Sequence, residues 1–183
     1  ILSANDLQIG RGESIEDTAQ VLSRYVDAIM IRCYKHDTLL TLAKNASVPV
    51  INALTEWSHP CQLMADLMTM IEYHGPLTGQ TVAWLGDGNN VAVSWIEAAV
   101  RFGFQLRIAG PQRYAPPASL LAWARANGGD IILTDDVNLA IEKVQTVVTD
   151  VWISMGADEG NRCKDFAPYQ VNANLMKSAA SDA

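Results

Sequence analysis

The sequence predicts an α/β protein whose parallel sheets carry helices on both faces, with a second domain beginning after residue 79. Short apolar runs alternate with helical patterns nearly throughout the chain. The helices between those runs are long enough to serve as crossovers, so consecutive strands form parallel βαβ units. The segment Gly75-Pro76-Leu77-Thr78-Gly79 is rich in turn formers and reads as the approach to the second domain. Sheets of this kind bind ligands in the crevice beyond the carboxyl ends of their strands, so chemistry is to be sought there.

The elements follow in order. Residues 1–3 read as a buried strand, and a polar loop runs on through Gly10 and Gly12. Ser14 with Asp17 opens a helix in capping-box fashion, Asp standing where Glu is commoner, and Ile15, Ala19 and Leu22 supply its inner face. Residues 27–32 are β-rich, residues 36–46 form a helix with Leu39, Leu40 and Ala43 inward, and residues 48–52 form the next strand. Pro60 suits a first helical position, and that helix runs to about Tyr73. Beyond the turn come a strand at 81–85, a loop, and a helix ending at Gly103. A strand at 104–109, a helix at 117–127, a strand at 131–134, a helix over 137–144 and a strand at 147–149 complete the pattern. The chain begins on Ile1 without an initiator Met and stops at Ala183 with no element to close the fold, which reads as part of a longer polypeptide.

Bulk composition narrows the function. With 183 residues the chain can bury a sizeable core, and 49% apolar and 18% charged residues are ordinary for a globular protein. A formal charge of −7 argues against a nucleic-acid or anionic-membrane partner, since either needs clustered Lys and Arg. No apolar run reaches the roughly 20 residues of a membrane span. Cys33, Cys61 and Cys163 show neither a paired framework nor metal-ligand spacing, and read as reduced thiols.

Four constellations could carry chemistry. Arg32 ends a strand, where a planar guanidinium can donate to a phosphate or carbonyl oxygen; a surface ion pair is the plainer reading. In His59-Pro60-Cys61-Gln62 the imidazole precedes a helix and Gln62 lies within its first turn. Both side chains, with unpaired backbone N–H groups, can serve a carbonyl oxygen that gains charge during attack. A lone His-Pro is more often a capping or packing histidine, and Cys61 reads as core-facing. The loop Gly86-Asp87-Gly88-Asn89-Asn90 joins a strand to a helix and resembles a dinucleotide turn, but it lacks the third glycine. The following strand also ends at Ala109-Gly110 without an acidic residue for a ribose, so a ligand loop using Asn90 is the better reading. Last, Thr149-Asp150-Val151-Trp152-Ile153-Ser154-Met155-Gly156 places a strand-ending carboxylate near a hydroxyl and a glycine. Together they suit the amine and carboxylate of an α-amino acid; an Asx turn at Asp150 is the competing reading. His36 and His74 look like ordinary polar positions, and the tryptophans look like core.

These residues together resemble one family. His59-Pro60-Cys61-Gln62 is similar to the His-Pro-x-Gln signature of the aspartate/ornithine carbamoyltransferases, and Asp150 through Gly156 resembles the Asp-x-x-x-Ser-Met-Gly stretch of their ornithine-specific members. Gly86 through Asn90, Glu13 through Ala19, and Ala46 through Asn52 are similar as well, so the likeness runs along almost the whole chain in order and spacing. It implies two doubly wound, Rossmann-like domains with the active site in the cleft between them, the first incomplete here. Residues 1–59 would be the C-terminal part of the carbamoyl-phosphate domain, 60–79 a linking helix and turn, and 80–183 the ornithine domain without its last helix. The implied reaction transfers the carbamoyl group of carbamoyl phosphate to the δ-amine of L-ornithine, giving citrulline and phosphate, with no cofactor and no metal. Arg32, His59 and Gln62 would hold and polarise the carbamoyl carbonyl. Asn90, Asp150, Ser154 and, through its backbone, Met155 would hold ornithine, and Gln8 would lie in a loop reaching a neighbouring subunit. The family forms trimers or multiples of trimers, in the cytoplasm or the mitochondrial matrix. Its Ser-x-Arg-Thr-Arg phosphate loop would precede Ile1 and its His-Cys-Leu-Pro motif would follow Ala183, so these 183 residues alone are expected to be inactive.

Three rivals remain. A carbamoyltransferase for aspartate would share His59 and Gln62 but not Ser154-Met155-Gly156, and one for putrescine would have no carboxylate to bind. A nicotinamide-dependent oxidoreductase would use the Gly86 turn. A catalytically dead homologue would not need Arg32, His59, Gln62 and Asp150 together.

Overall fold

A computed structural model describes residues 12–153 and 160–183, which divide into two compact units, residues 1–61 and 62–183. The expected strand at 1–3 lies outside the described residues.

In the first unit, Ser14 caps helix α1 (Ile15–Leu22), its side chain accepting from the Asp17 amide at 3.0 Å. Strand β1 (Ile29–Arg32) leads to helix α2 (His36–Asn45) and then to strand β2 (Val50–Leu54), which pairs parallel with β1. Ala19, Ile29 and Leu42 form the buried centre, with Ile15 and Leu22 packed against it as their spacing suggests. Helix α2 turns a different face inward from the expected one. Leu39 and Leu42 are buried, whereas Leu40 is 53% exposed and Ala43 is exposed. Both sets fit a helical period, and the observed phase is accompanied by a tether at the helix start. There the His36 amide donates to Glu56 at 3.0 Å and Nδ1 lies 2.9 Å from the Thr55 hydroxyl.

Helix α3 (Pro60–His74) begins on the predicted proline and runs into the second unit, where Leu63, Leu67 and Met70 join the core. That unit is a four-stranded, fully parallel sheet in the order β5-β4-β3-β6, made of β3 (Thr81–Leu85), β4 (Gln105–Ala109), β5 (Ile131–Thr134) and β6 (Thr146–Thr149). Strand β3 is buried on both faces, and its pleat divides its side chains between two cores. Val82 and Trp84 pack with α4 (Asn90–Phe102) and α5 (Ala118–Ala126), whereas Ala83 and Leu85 pack with α6 (Val137–Ile141). Helix α4 ends at Gly103, whose φ of 72° is the left-handed cap that only glycine adopts without strain.

Two departures concern the end of the chain. Helix α6 stops at Ile141 rather than near 144, because Lys143 takes a left-handed φ of 55° and donates its amide to Ser178 at 2.8 Å. The closing segment also has elements that periodicity does not reveal: α7 (Arg162–Phe166), a short 3-10 turn and α8 (Ala173–Met176). Each is under two turns long, too short to show a repeat. Tyr169 and Leu175 nevertheless pack on α6 and help cover the second face of the sheet.

Candidate active site

In the first unit, β1 and β2 end side by side, Arg32 opposite Leu54, with an irregularity between Ile31 and Arg32 of the kind that re-aims a side chain. Arg32 is exposed at this strand end. The chain leaves β2 through a turn built on Thr55, which is fully buried. Its hydroxyl accepts from the amides of Trp57 at 3.3 Å and Ser58 at 3.2 Å, while its own amide donates to the Ser58 carbonyl at 2.9 Å. Asn52 holds the Ser58 hydroxyl at 3.0 Å, and the Cys61 thiol donates to the Asn52 carbonyl at 3.3 Å. This turn delivers His59, half-buried, to the residue before the first turn of α3. Cys33 lies beside Arg32 in sequence; burial, reinforced by the Glu56 carboxylate, pushes its thiol up and keeps it protonated and a poor nucleophile.

In the second unit, the chain runs outward from β3 through β4 to β5 and then returns to place β6 on the other side of β3. That reversal is a topological switch point, and the loops after β3 and β6 flank its crevice. The loop after β3 is held by its glycines and by Trp84. Gly86 adopts a φ of +145° and donates its amide to Ala109 at 2.9 Å. The Trp84 indole donates to the Asp87 carbonyl at 2.9 Å. A Cβ on Gly88 would fall 2.4 Å from the Pro116 nitrogen and 2.6 Å from the Tyr114 carbonyl oxygen, so the close approach this glycine permits is to protein backbone.

Asn89 then does two things. Its side-chain oxygen caps α4, accepting from the amides of Val91 at 3.0 Å and Ala92 at 3.1 Å. Its side-chain nitrogen donates to Asp150 Oδ2 at 2.9 Å, joining the two loops across the switch point. The other oxygen of Asp150 accepts from the Val151 amide at 2.7 Å. A carboxylate offers about four lone-pair sites, so these two bonds orient it and leave acceptor capacity for a cation.

A second bridge lies behind the first. The Arg162 guanidinium pairs with the Asp87 carboxylate, both largely buried, and its Nε donates to the Trp152 carbonyl at 2.7 Å. The same guanidinium lies 4.5 Å from the centroid of the Tyr114 ring. Burial pushes the Asp87 carboxyl above the usual carboxylate range; Arg162 pulls it back and the charge of Asp150 adds to the rise.

The predicted residues therefore stand as follows. Arg32 and His59 belong to the first unit, Arg32 as the last residue of β1 and His59 beyond the end of the neighbouring β2. Gln62 is exposed on α3 and donates to Asp66 at 2.8 Å. Asn90 is the half-buried first residue of α4, one position beyond the asparagine that meets Asp150. Gln8, Ser154 and Met155 lie outside the described residues. Asp87, Asn89 and Arg162 were not singled out from sequence. Asn89 carried a signal, since an asparagine ahead of an apolar-periodic run is a helix cap; Arg162 carried none. A cavity of about 240 Å³ at the opposite, amino ends of the strands, lined by Gln80, Thr81, Gln105 and Asp130 among others, contains none of these groups.

Comparison with known proteins divides the chain about ten residues later than the compact units do, after most of α3. Residues 78–183 match the family profile described as aspartate/ornithine carbamoyltransferase, Asp/Orn binding domain. Residues 1–72 match the profile described as aspartate/ornithine carbamoyltransferase, carbamoyl-P binding domain. An ornithine carbamoyltransferase of Bradyrhizobium diazoefficiens is 55% identical over 100% of this chain and 60% of its own length. One of Brucella ovis is 53% identical over 98% of this chain and 58% of its own. Among solved structures, the ornithine carbamoyltransferase of Pyrococcus furiosus superimposes with a TM-score of 0.91 at 46% identity, covering 99% of this chain and 60% of that one. The Thermus thermophilus enzyme gives 0.87 at 38% identity, covering 100% of this chain and 60% of that one. The chain thus spans about 60% of the length of the relatives it matches.

Proposed function

This chain belongs to the aspartate/ornithine carbamoyltransferase family, and from that premise we propose that its protein transfers the carbamoyl group of carbamoyl phosphate to the δ-amine of L-ornithine. The observation that carries the acceptor half is the Asn89–Asp150 bridge at the switch point of the second unit. It presents an oriented carboxylate where parallel sheets take their ligands, suited to an amino acid's ammonium group. The relatives named ornithine carbamoyltransferase, 53–55% identical, support ornithine over aspartate. In this reading Ser154, Asn90 and the Met155 backbone bind the rest of the amino acid, and Gln8 reaches a neighbouring subunit.

Arg32, His59 and Gln62 take the carbamoyl carbonyl. The uncharged δ-amine attacks its carbon, a C–N bond forms, and the carbonyl oxygen gains charge that the three donors stabilise. The tetrahedral intermediate collapses as the C–O bond to phosphate breaks, and the proton shed by the amine leaves with phosphate or solvent. The chain's contribution is proximity and oxyanion stabilisation, with no covalent enzyme intermediate. In this reading residues 1–59 serve carbamoyl phosphate, 60–79 link and 80–183 serve ornithine. The profile matches to residues 1–72 and 78–183 support two functional halves, with most of the linking helix falling inside the first. Assembly as a trimer or a multiple of trimers and a location in the cytoplasm, or in the mitochondrial matrix of a eukaryote, complete the proposal. Among the described residues no helix is long and apolar enough to cross a membrane.

The test is citrulline formation from carbamoyl phosphate and ornithine, with putrescine and aspartate as alternative acceptors and norvaline as competitor. Ornithine turnover inhibited by norvaline supports the proposal. Turnover of putrescine in preference to ornithine refutes it.

A further inference from the structure

We infer that Arg162 is a positioning residue for the amino-acid acceptor: its guanidinium clamps the loop after β3 to the loop after β6, and so fixes the carboxylate of Asp150. The inference rests on the acceptor site proposed above and adds a residue to it that makes no contact with substrate. Three observations support the clamp. Nη2 pairs with Asp87 while Nε donates to the Trp152 carbonyl at 2.7 Å, so one planar group grips both loops in fixed directions. The Tyr114 ring lies 4.5 Å and the Phe166 ring 5.3 Å from the guanidinium carbon, so the cation is seated against aromatic rings as well as ion-paired. Only 11% of the Arg162 side chain and 15% of that of Asp87 is exposed, which removes the pair from most solvent screening.

The geometry explains why Asn89 alone is not enough. Asn89 is anchored by its cap on α4, but Asp150 stands at the open end of β6, where the backbone leaves the sheet. Two residues further on, the Trp152 carbonyl is tied to Arg162, and Trp152 itself stacks on Phe166 with ring centroids 6.4 Å apart. The segment carrying Asp150 is therefore fixed on both sides, by β6 before it and by the clamp after it. On the other loop, Asp87 is held through its carbonyl by Trp84 and through its carboxylate by Arg162.

The experiment compares Arg162→Lys and Arg162→Gln with the parent in the full-length enzyme. It measures steady-state KM for each substrate, kcat, melting temperature, and norvaline binding by tryptophan fluorescence. Lys keeps the charge but cannot reproduce the fork. Both variants are expected to raise KM for ornithine at least tenfold and to weaken norvaline equally. KM for carbamoyl phosphate should stay within about twofold, with Lys no better than midway between Gln and the parent. Asp87→Asn combined with Arg162→Gln should cost little more than Arg162→Gln alone, because the two residues act as one clamp. Unchanged ornithine KM in variants that melt like the parent overturns the inference. So does a loss shared equally by both substrates, or one confined to kcat. A parent that makes no citrulline but binds norvaline counts against the proposed reaction alone, and the clamp is then read from norvaline. A parent that does neither overturns both.

Discussion

Asn89→Ser separates the two jobs of one side chain. Serine is among the best helix caps, so the amides of Val91 and Ala92, now held at 3.0 and 3.1 Å, keep an acceptor. Its hydroxyl is too short to span the 2.9 Å contact that the Asn89 amide makes with Asp150. The loss is one hydrogen bond to a charged group, about 1.5–3 kcal/mol. At about 1.4 kcal/mol per decade this is on the order of 10–100-fold in kcat/KM for ornithine. Asn89→Ala forfeits the cap as well, a further ~1 kcal/mol of fold stability, or roughly 2–4 °C in melting temperature for a chain of this size. The assay is paired: steady-state kinetics with each substrate varied in turn, and thermal denaturation of the same preparations. Both should melt below the parent for want of the bridge, and Ala a further roughly 2–4 °C below Ser for want of the cap, while both show the same loss toward ornithine and little toward carbamoyl phosphate. An Asn89→Ser enzyme with parental ornithine kinetics would mean that the bridge to Asp150 does not orient the acceptor, and the reasoning fails.

Other outcomes follow from the same region. Asp87 has a carboxyl raised by burial, so the folded state favours its protonated form. That contribution is present below the ordinary carboxylate range and is lost as pH climbs through the raised value. Asp87→Asn removes the titration, so its melting temperature relative to the parent should climb from about pH 4 toward neutrality; a flat or falling difference contradicts the sign. Gly88→Ala would drive a methyl to 2.4 Å from the Pro116 nitrogen, and overpacking of this kind costs about 1–3 kcal/mol. Urea denaturation should show that loss together with impaired ornithine binding. Trp84→Phe removes a fully buried indole and leaves the part-buried Asp87 carbonyl without its 2.9 Å donor, at a cost of about 1–3 kcal/mol. A variant as stable as the parent would show that this bond contributes nothing.

The regular parts of the fold were legible because burial wrote them into local patterns. Within the strand at Thr81–Leu85, residues 82–85 are an unbroken apolar run since both faces are covered, and the helix before Gly103 ends where a left-handed cap favours glycine. The phase of α2 was not legible. Leu39, Leu40, Leu42 and Ala43 offer two overlapping stripes, and the contacts of His36 with Thr55 and Glu56, far along the chain, accompany the choice. At the site, Asp150 could be read from its place after a strand, and the useful asparagine was missed by a single position. Reading the loop for ligand groups favoured Asn90, while reading it for helix caps would have favoured Asn89. Arg162 could not be found this way, because its partners Asp87, Tyr114 and Trp152 meet it only through the tertiary fold.

The strand order β5-β4-β3-β6 also sets when the acceptor site can exist. Val82 pairs with Leu106, 24 residues away, but its other neighbour Thr146 is 64 residues away. Closing the longer loop costs about 0.9 kcal/mol more in chain entropy by the logarithmic length rule. The seam that brings Asn89 to Asp150 is therefore the entropically costlier of the two pairings that β3 makes. Until it zips, β3 presents an open hydrogen-bonding margin lined with Val82, Ala83, Trp84 and Leu85, the arrangement most prone to sticking to another chain. A ribosome-bound polypeptide that has not yet released Thr146 would be at that vulnerable stage, and it gains its amino-acid pocket and loses its adhesive margin in one event.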